Sequence, residues 1–276
     1  MKPKLVLPNI FEEITQLKAF ALEHTLQGID WSFDLDHLPE TPLDESRWVR
    51  EQALLSPFEV RYHCPFYRID LGHDDPARAA DADAVFRKII RLLSKAGGQY
   101  LTIHIGLGQD STLPLSWEAT IQNLRSLVHF GAEHRVRVCI ENLAWGWTSK
   151  PNLFEKLVRR SGAGVTLDIG HAYVCESVRS QQYSFEDFAN PHPDRVFNGH
   201  VYHTEISGRG HIPPQGSQDI EDRLSLLLHV GCPWWVIEIK DPAPFLGTLK
   251  IIKDFLEKPS GSHLTEEESP RSSSAS

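Results

Sequence analysis

Residues 137–168 read RVCIENLAWGWTSKPNLFEKLVRRSGAGVTLD, and this stretch contains one complete repeat of the pattern that decides the fold. It begins with a short apolar and β-branched run, Arg137 to Glu141, and ends with a second such run, Gly164 to Asp168. Between them, residues 151–160 carry apolar side chains at helical spacing. A strand, a helix and a second strand in this order are typical of a βαβ unit in a parallel sheet.

The same alternation runs through the rest of the chain. The predicted strands are residues 5–7, 28–33, 59–63, 100–105, 137–141, 164–168, 197–202 and 234–239. The predicted helices are residues 10–25, 44–54, 76–96, 116–134, 151–160, 217–230 and 244–257, with a weaker pattern near 178–189. Eight such units in a chain of 276 residues predict an α/β fold, a single (β/α)8 TIM barrel.

The barrel is expected to occupy residues 1–258. Residues 259–276 are rich in Ser and Glu, and almost no apolar side chain is present there to offset the entropy of ordering. We therefore predict a disordered tail, residues 259–276, and no second domain.

Composition excludes several classes of protein. No apolar run approaches the roughly 18 residues that a membrane-spanning helix needs, and the first residues lack the apolar core of a signal peptide. A cytoplasmic protein without a membrane partner is expected. The formal net charge of −9 opposes binding of nucleic acid through bulk electrostatics. The four cysteines form no CxxC pair, so buried free thiols are expected.

Ligand-type side chains stand where predicted strands end. They are His63, His104, Glu141, Asp168, His200 and Glu238. In a TIM barrel the C-terminal strand ends meet at one mouth, where the active site lies. Buried charged groups are costly unless they are paired or bound to a metal, so this ring predicts a divalent cation. His171 adds an imidazole just beyond the strand that ends at Asp168, on what is expected to be a short loop.

The nature of the ligands limits the metal. Carboxylates mixed with imidazoles suit Mn, Mg, Co or Zn, and the identity stays open. Glu141 and Glu238 are the natural pair of acid–base groups, because two carboxylates across such a site can take and return a proton at a carbon next to a carbonyl.

These motifs, in this order, resemble the xylose-isomerase-like TIM-barrel superfamily, which holds sugar isomerases and epimerases together with the endonuclease IV class of DNA-repair enzymes. The resemblance spans about residues 28 to 240. Its most specific pieces include HCPF at 63–66, CIEN at 139–142, LDIGHA at 167–172, GHVYH at 199–203 and HIPPQG at 211–216. No single piece is diagnostic, whereas the ordered series is a strong signal.

The resemblance to the sugar epimerases implies one metal held by Glu141, Asp168, His200 and Glu238, with the two glutamates moving the proton. The GHVYH motif offers a second imidazole, His203, as the reserve for His200. A divalent metal cofactor, a small carbohydrate substrate and a homodimer are what this branch implies. The expected activity is that of an isomerase or epimerase acting on a sugar, sugar phosphate or polyol.

The endonuclease IV branch is the alternative. It implies three zinc ions and abasic DNA as substrate, and His63, His104 and His171 look like additional members of its ligand set. That branch expects an Asp-x-His pair before the loop glycines, whereas the chain has Arg209 and His211 there. The trinuclear site would therefore lack a ligand. A third hypothesis is a binding barrel that has lost catalysis.

Three further residues are candidate substrate contacts. Arg209 is expected beside His211 on a loop that closes over the substrate, and Lys240 follows Glu238, where a cation meets a substrate phosphate or carboxylate. Trp145 follows the Glu141 strand and either stacks on the substrate or packs the loop against the barrel.

Overall fold

A computed structural model gives the fold, and it describes residues 2–108 and 112–258. The strands of the barrel are β1 (Lys4–Pro8), β2 (Gly28–Ser32), β3 (Glu59–Cys64), β4 (Tyr100–Ile103), β5 (Arg137–Glu141), β6 (Gly164–Asp168), β7 (Val196–Val201) and β10 (Trp234–Ile237). They are parallel and close in the order β1-β10-β7-β6-β5-β4-β3-β2. The prediction of an α/β TIM barrel is confirmed, and each predicted strand lies within two residues of an observed one.

Helices connect successive strands. They are α1 (Ile14–Glu23), α2 (Pro42–Ala53), α3 (Pro76–Ala96), α4 (Trp117–Glu133), α5 (Pro151–Ser161), α6 (Ile169–Val174), α7 (Glu176–Arg179), α8 (Glu221–His229) and α9 (Pro242–Glu257). The bounds of α3 match those predicted, since Asp75 caps its first turn through the backbone N–H of Ala77 and Gly97 ends it at φ 80°.

Three features after β6 differ from the sequence prediction. The loop expected after Asp168 is the short helix α6, and the weak pattern near 178–189 is only α7 followed by a 3-10 turn at Phe185–Phe188. An antiparallel hairpin, β8 (Thr204–Ile206) with β9 (Gly210–Ile212), follows β7 and was not predicted. Helix α6 and the hairpin carry residues of the candidate site.

A buried polar layer lies inside the barrel, one level below the strand ends. The Thr102 and Thr166 hydroxyls are 2.7 Å apart, and Asn198 Nδ2 donates to Thr166 Oγ1 at 3.0 Å. Arg61 Nη1 donates to Asn198 Oδ1 at 2.7 Å and to the carbonyl of Phe197 at 2.7 Å. The layer satisfies its own polar groups and gives the site above it a rigid floor.

Within residues 2–108 and 112–258, no helix combines the length and the apolar character that a membrane span requires. All four cysteines are buried and unpaired. The predicted tail, residues 259–276, lies outside the described residues and stays a prediction.

Candidate metal centre

The C-terminal mouth of the barrel brings together all six strand-end residues named from the sequence. β3 supplies His63, β5 supplies Glu141, β6 supplies Asp168 and β7 supplies His200, whereas His104 and Glu238 follow β4 and β10 directly. Five of these residues are at most 5% exposed, and the side chain of Glu238 is 12% exposed. They form two groups that share Glu141, and a third group lies beside them.

The first group is His63, His104 and Glu141. His63 Nε2 and His104 Nε2 are 3.0 Å apart, and each lies 3.2 Å from Glu141 Oε2. Two imidazole nitrogens and one carboxylate oxygen therefore form a nearly equilateral triangle. The three residues come from adjacent strands β3, β4 and β5, which explains why they converge.

The second group surrounds His200 with three carboxylates. His200 Nδ1 lies 3.3 Å from Glu141 Oε2, 3.3 Å from Glu238 Oε1 and 3.8 Å from Asp168 Oδ2. These are the four residues that the resemblance to the epimerases named. Glu141 Oε2 belongs to both groups, so one carboxylate oxygen joins them.

The connection from β6 to α6 fixes Asp168. Its Oδ1 caps α6 by accepting a hydrogen bond of 2.6 Å from the backbone N–H of His171, which leaves Oδ2 directed at the second group. The fully buried Asn142 holds the same backbone, because its Nδ2 donates to the carbonyl of Asp168 and its Oδ1 accepts from the N–H of Asp168, both at 2.8 Å. The side chain of Asn142, which follows β5, thus fixes the position of Asp168 at the end of β6.

The third group is His171, Glu205 and His211. His171 Nε2 lies 3.1 Å from Glu205 Oε2, and one donor atom from each of the three residues lies within 4.8 Å of the others. Glu205 and His211 are directly opposite each other on β8 and β9, and paired residues of a hairpin point to the same face. His211 Nδ1 also lies 3.0 Å from the carbonyl of Glu238, which leaves Nε2 as its free nitrogen.

Glu205 was missed from the sequence. Arg209 stands where a carboxylate was expected before His211, whereas Glu205 lies across the hairpin from His211 and 3.1 Å from His171 Nε2. The signal was available in part, because the glycines Gly208 and Gly210 mark a turn that places residues 205 and 211 across from each other.

The chemistry of these donors fits divalent cations. Atoms bound to one ion at about 2.0–2.2 Å lie about 3–3.5 Å apart, and most donor distances in the first two groups fall in or near that range. Asp168 Oδ2 and His200 Nδ1 are buried and form no hydrogen bond within the described residues. Buried polar atoms without a partner are rare in proteins and indicate a missing ligand or water.

Electrostatics inside the centre follow from burial and mutual charge. Burial opposes ionisation of Glu141, but His200 and His104 outweigh it and hold its pKa well below the usual value. Burial, together with the charges of Glu141 and Glu238, raises the pKa of Asp168 to about 6. Burial lowers the pKa of His200, yet Glu238 and Glu141 outweigh it and raise that pKa to about 10. Next to these carboxylates, a bound cation would supply the positive charge that protonated His200 supplies without it.

Other predicted residues lie away from the two strand-end groups. His203 faces the opposite side, with Nδ1 3.1 Å from the carbonyl of Asp219. Arg209 is exposed at the hairpin turn, and Lys240 is exposed after Glu238. Trp145 packs its ring against His171 at a centroid distance of 5.3 Å, so it lines the edge of the centre.

Comparison with known proteins gives one curated relative and many similar structures. An uncharacterized protein of Methanocaldococcus jannaschii is 29% identical over 198 residues, which cover 72% of this chain and 80% of that protein. A D-tagatose 3-epimerase-like protein superimposes with a TM-score of 0.69 at 16% identity, covering 92% of this chain and 97% of the other. Endonuclease IV from Thermus thermophilus gives 0.65 at 15% identity, covering 93% and 100%.

At these identities the similar structures share the fold with this chain. The family assignment comes from the sequence itself, because the family model described as "Xylose isomerase-like TIM barrel" matches residues 19–258. The chain belongs to the xylose isomerase-like TIM barrel family.

Proposed function

We propose that this chain is a divalent-metal-dependent enzyme whose centre holds more than one ion, and that it hydrolyses a phosphate ester. The observation that carries the proposal is the triangle of His63, His104 and Glu141, which shares Glu141 Oε2 with the carboxylates around His200. A single-ion centre built on Glu141, Asp168, His200 and Glu238 leaves His63 and His104 without a role. Clustered ions of this kind are typical of phosphate-ester hydrolases.

His63 and His104 would hold one ion with Glu141, and Asp168, His200 and Glu238 would hold a second with the same carboxylate. His171, Glu205 and His211 would complete a third position, which supplies the carboxylate that the sequence pattern lacked. Bound divalent cations supply Lewis acidity, which neutralises the charge of a phosphate group and favours ionisation of water.

The residues differ in their access to a substrate. The side chain of Glu141 is 1% exposed and serves to hold ions, whereas that of Glu238 is 12% exposed. Burial opposes ionisation of Glu238, but His200 and His211 outweigh it and lower its pKa, so this carboxylate is charged at neutral pH. Glu238 is thus the group best placed to accept a proton from an attacking water.

The charge of the chain bears on the substrate. A formal net charge of −9 disfavours a long polyanion, so a small phosphate ester fits better than duplex DNA. Abasic DNA remains the alternative polymeric substrate, because endonuclease IV is among the similar structures.

The second candidate is the sugar isomerase or epimerase. It is favoured by Glu141 and Glu238, which approach His200 Nδ1 at the same distance of 3.3 Å and are therefore available as a pair of proton-transfer groups. The D-tagatose 3-epimerase-like neighbour is consistent with a small carbohydrate as substrate.

Metal analysis of the purified chain separates the two candidates. We expect more than one Zn or Mn per chain after dialysis against excess metal, and hydrolysis of bis(p-nitrophenyl) phosphate. Glu205→Gln should lose the ion of the third group alone, whereas Glu141→Gln should lose both ions that it joins. The matched control is Glu133→Gln, which changes an exposed glutamate at the end of α4.

A stoichiometry of one metal per chain, with turnover in a panel of ketoses and their phosphates, would instead establish the isomerase. An abasic-site duplex in the same panel tests the DNA substrate. If the wild-type chain contains no metal and turns over none of the substrates, and Glu141→Gln and Glu238→Gln do not differ from it, both candidates are wrong.

A further inference from the structure

A cleft opens at the opposite end of the barrel from the metal centre. It has a volume of about 580 Å³ and lies where β4, β5 and β6 begin. The charged residues that line it are Arg135, Arg137, Asp194 and Arg195. Volumes of roughly 300–1,000 Å³ are usual for small-molecule sites.

The three arginines of the cleft have no carboxylate partner within residues 2–108 and 112–258. Arg195 makes only a long hydrogen bond of 3.4 Å to the carbonyl of Val158, and no ion pair involves Arg135 or Arg137 there. Some other arginines of the chain do pair with acids, as Arg159 does with Glu155 and Arg160 with Glu118. In a chain with nine more acids than bases, three arginines against the single carboxylate of Asp194 leave this cleft with a local excess of positive charge.

Two half-buried aromatic rings form another part of the lining. The centroids of Tyr100 and Phe197 are 5.9 Å apart. Arg137 places its guanidinium 4.0 Å from the Phe197 centroid, and the buried Arg61 lies 3.8 Å from that of Tyr100 on the barrel side. The two rings, tilted by 46° to each other, form an aromatic floor against which a flat ring can pack while its charged group meets the arginines.

We infer that this cleft binds a small ligand that carries both a phosphate group and a flat ring, such as a nucleoside monophosphate. The arginines take the phosphate, and the floor of Tyr100 and Phe197 takes the ring. The site is separate from the metal centre, since it lies at the other end of the strands.

The ends of helices account for only part of this charge. α4 ends at Glu133 and α5 ends at Ser161, and cations near such ends are stabilising. Arg135 follows α4 and fits that explanation. Arg137 begins β5 and stacks on Phe197, so a role at a helix end does not explain its position.

Isothermal titration calorimetry with AMP, ribose 5-phosphate and inorganic phosphate tests the inference. We expect saturable AMP binding to the wild-type chain, weakened about tenfold or more by Arg135→Gln or Arg195→Gln, because each removes a charged donor. Phe197→Leu should weaken AMP binding and leave the weaker binding of ribose 5-phosphate unchanged. Glu141→Gln should leave AMP binding intact, which separates this cleft from phosphate bound at the metal centre.

The control Arg125→Gln removes an exposed positive charge on α4 outside the cleft. If it weakens AMP binding as much as Arg195→Gln does, the effect is one of net charge and the inference is wrong. The inference is also wrong if the wild type does not bind AMP, or if only Glu141→Gln loses AMP binding. It is wrong as well if ribose 5-phosphate and AMP bind equally. Because Arg137 packs on Phe197, replacing it would also disturb the aromatic floor, so the test uses Arg135 and Arg195.

Discussion

Glu141 faces more imidazoles than any other carboxylate of the centre. Its carboxylate lies 3.2 to 3.5 Å from nitrogens of four imidazoles, those of His63, His104, His171 and His200. A fully buried carboxylate is costly unless opposite charges surround it. The same residue that joins two candidate ions therefore also needs either ions or protonated histidines in order to remain charged.

Asn142 shows how a neighbour positions a candidate ligand. Because its side chain satisfies both the N–H and the carbonyl of Asp168, we expect Asn142→Ala to leave two buried backbone groups without partners. The free energy of unfolding should fall by about 3 kcal/mol, as measured by urea denaturation. Asn152→Ala, at an exposed position of α5, is the matched control and should change it by less than about 0.5 kcal/mol. A loss no larger in Asn142→Ala than in the control would contradict this account of the β6–α6 connection.

At the scale of elements, α6 and the β8–β9 hairpin do most to shape the third group. α6 carries His171 and packs its first turn on the ring of Tyr202, and the hairpin carries Glu205 and His211. His211 stacks on Tyr202 with ring centroids 3.8 Å apart and an interplanar angle of 6°. Tyr202 thus sets the spacing between the helix and the hairpin.

Gly170 allows this close packing. A Cβ at Gly170 would lie 2.1 Å from Cε2 of Tyr202, so Gly170→Ala should force α6 and the tyrosine apart. We expect a loss of about 1–3 kcal/mol in urea denaturation, together with weaker metal binding at the third group. Gly247→Ala on α9 is the control, since nothing lies within 4 Å of its Cβ, and it should stabilise the chain by roughly 0.5–1 kcal/mol. Equal free energies of unfolding for the two variants would show that Tyr202 can move away from a Cβ at residue 170 without destabilising the fold.

At the scale of the whole molecule, the candidate ligands come from six strands of the barrel, so metal binding should stabilise the entire fold. With free Zn or Mn at about 100 times the dissociation constant, the expected gain is about 2.7 kcal/mol. That corresponds to a rise in Tm of about 5–10 °C by differential scanning calorimetry, reversed by EDTA.

Glu141→Gln separates specific from general effects of the metal on Tm. It should remove most of the metal-dependent rise, because it deletes the ligand shared by two groups, whereas Glu133→Gln should keep it. A Tm that is the same with metal and with EDTA in the wild type would argue against resident ions.

The sequence by itself predicted the barrel and named the residues of the first two groups. Strand and helix periods are local properties, and βα repeats leave few topologies open, so the strand ends could be assigned to one mouth before any coordinates. His63, His104, Glu141, Asp168, His200 and Glu238 could be named because each stands at the end of a recognisable strand.

Only the tertiary structure decided the rest. Glu205 joins the site through hairpin register, and His203 leaves the two strand-end groups because its ring faces Asp219. The arginines of the cleft opposite the metal centre come together from segments nearly 60 residues apart. Each of these facts depends on the direction of a side chain relative to a distant segment, which local periodicity does not encode, whereas a closed barrel fixes it through packing.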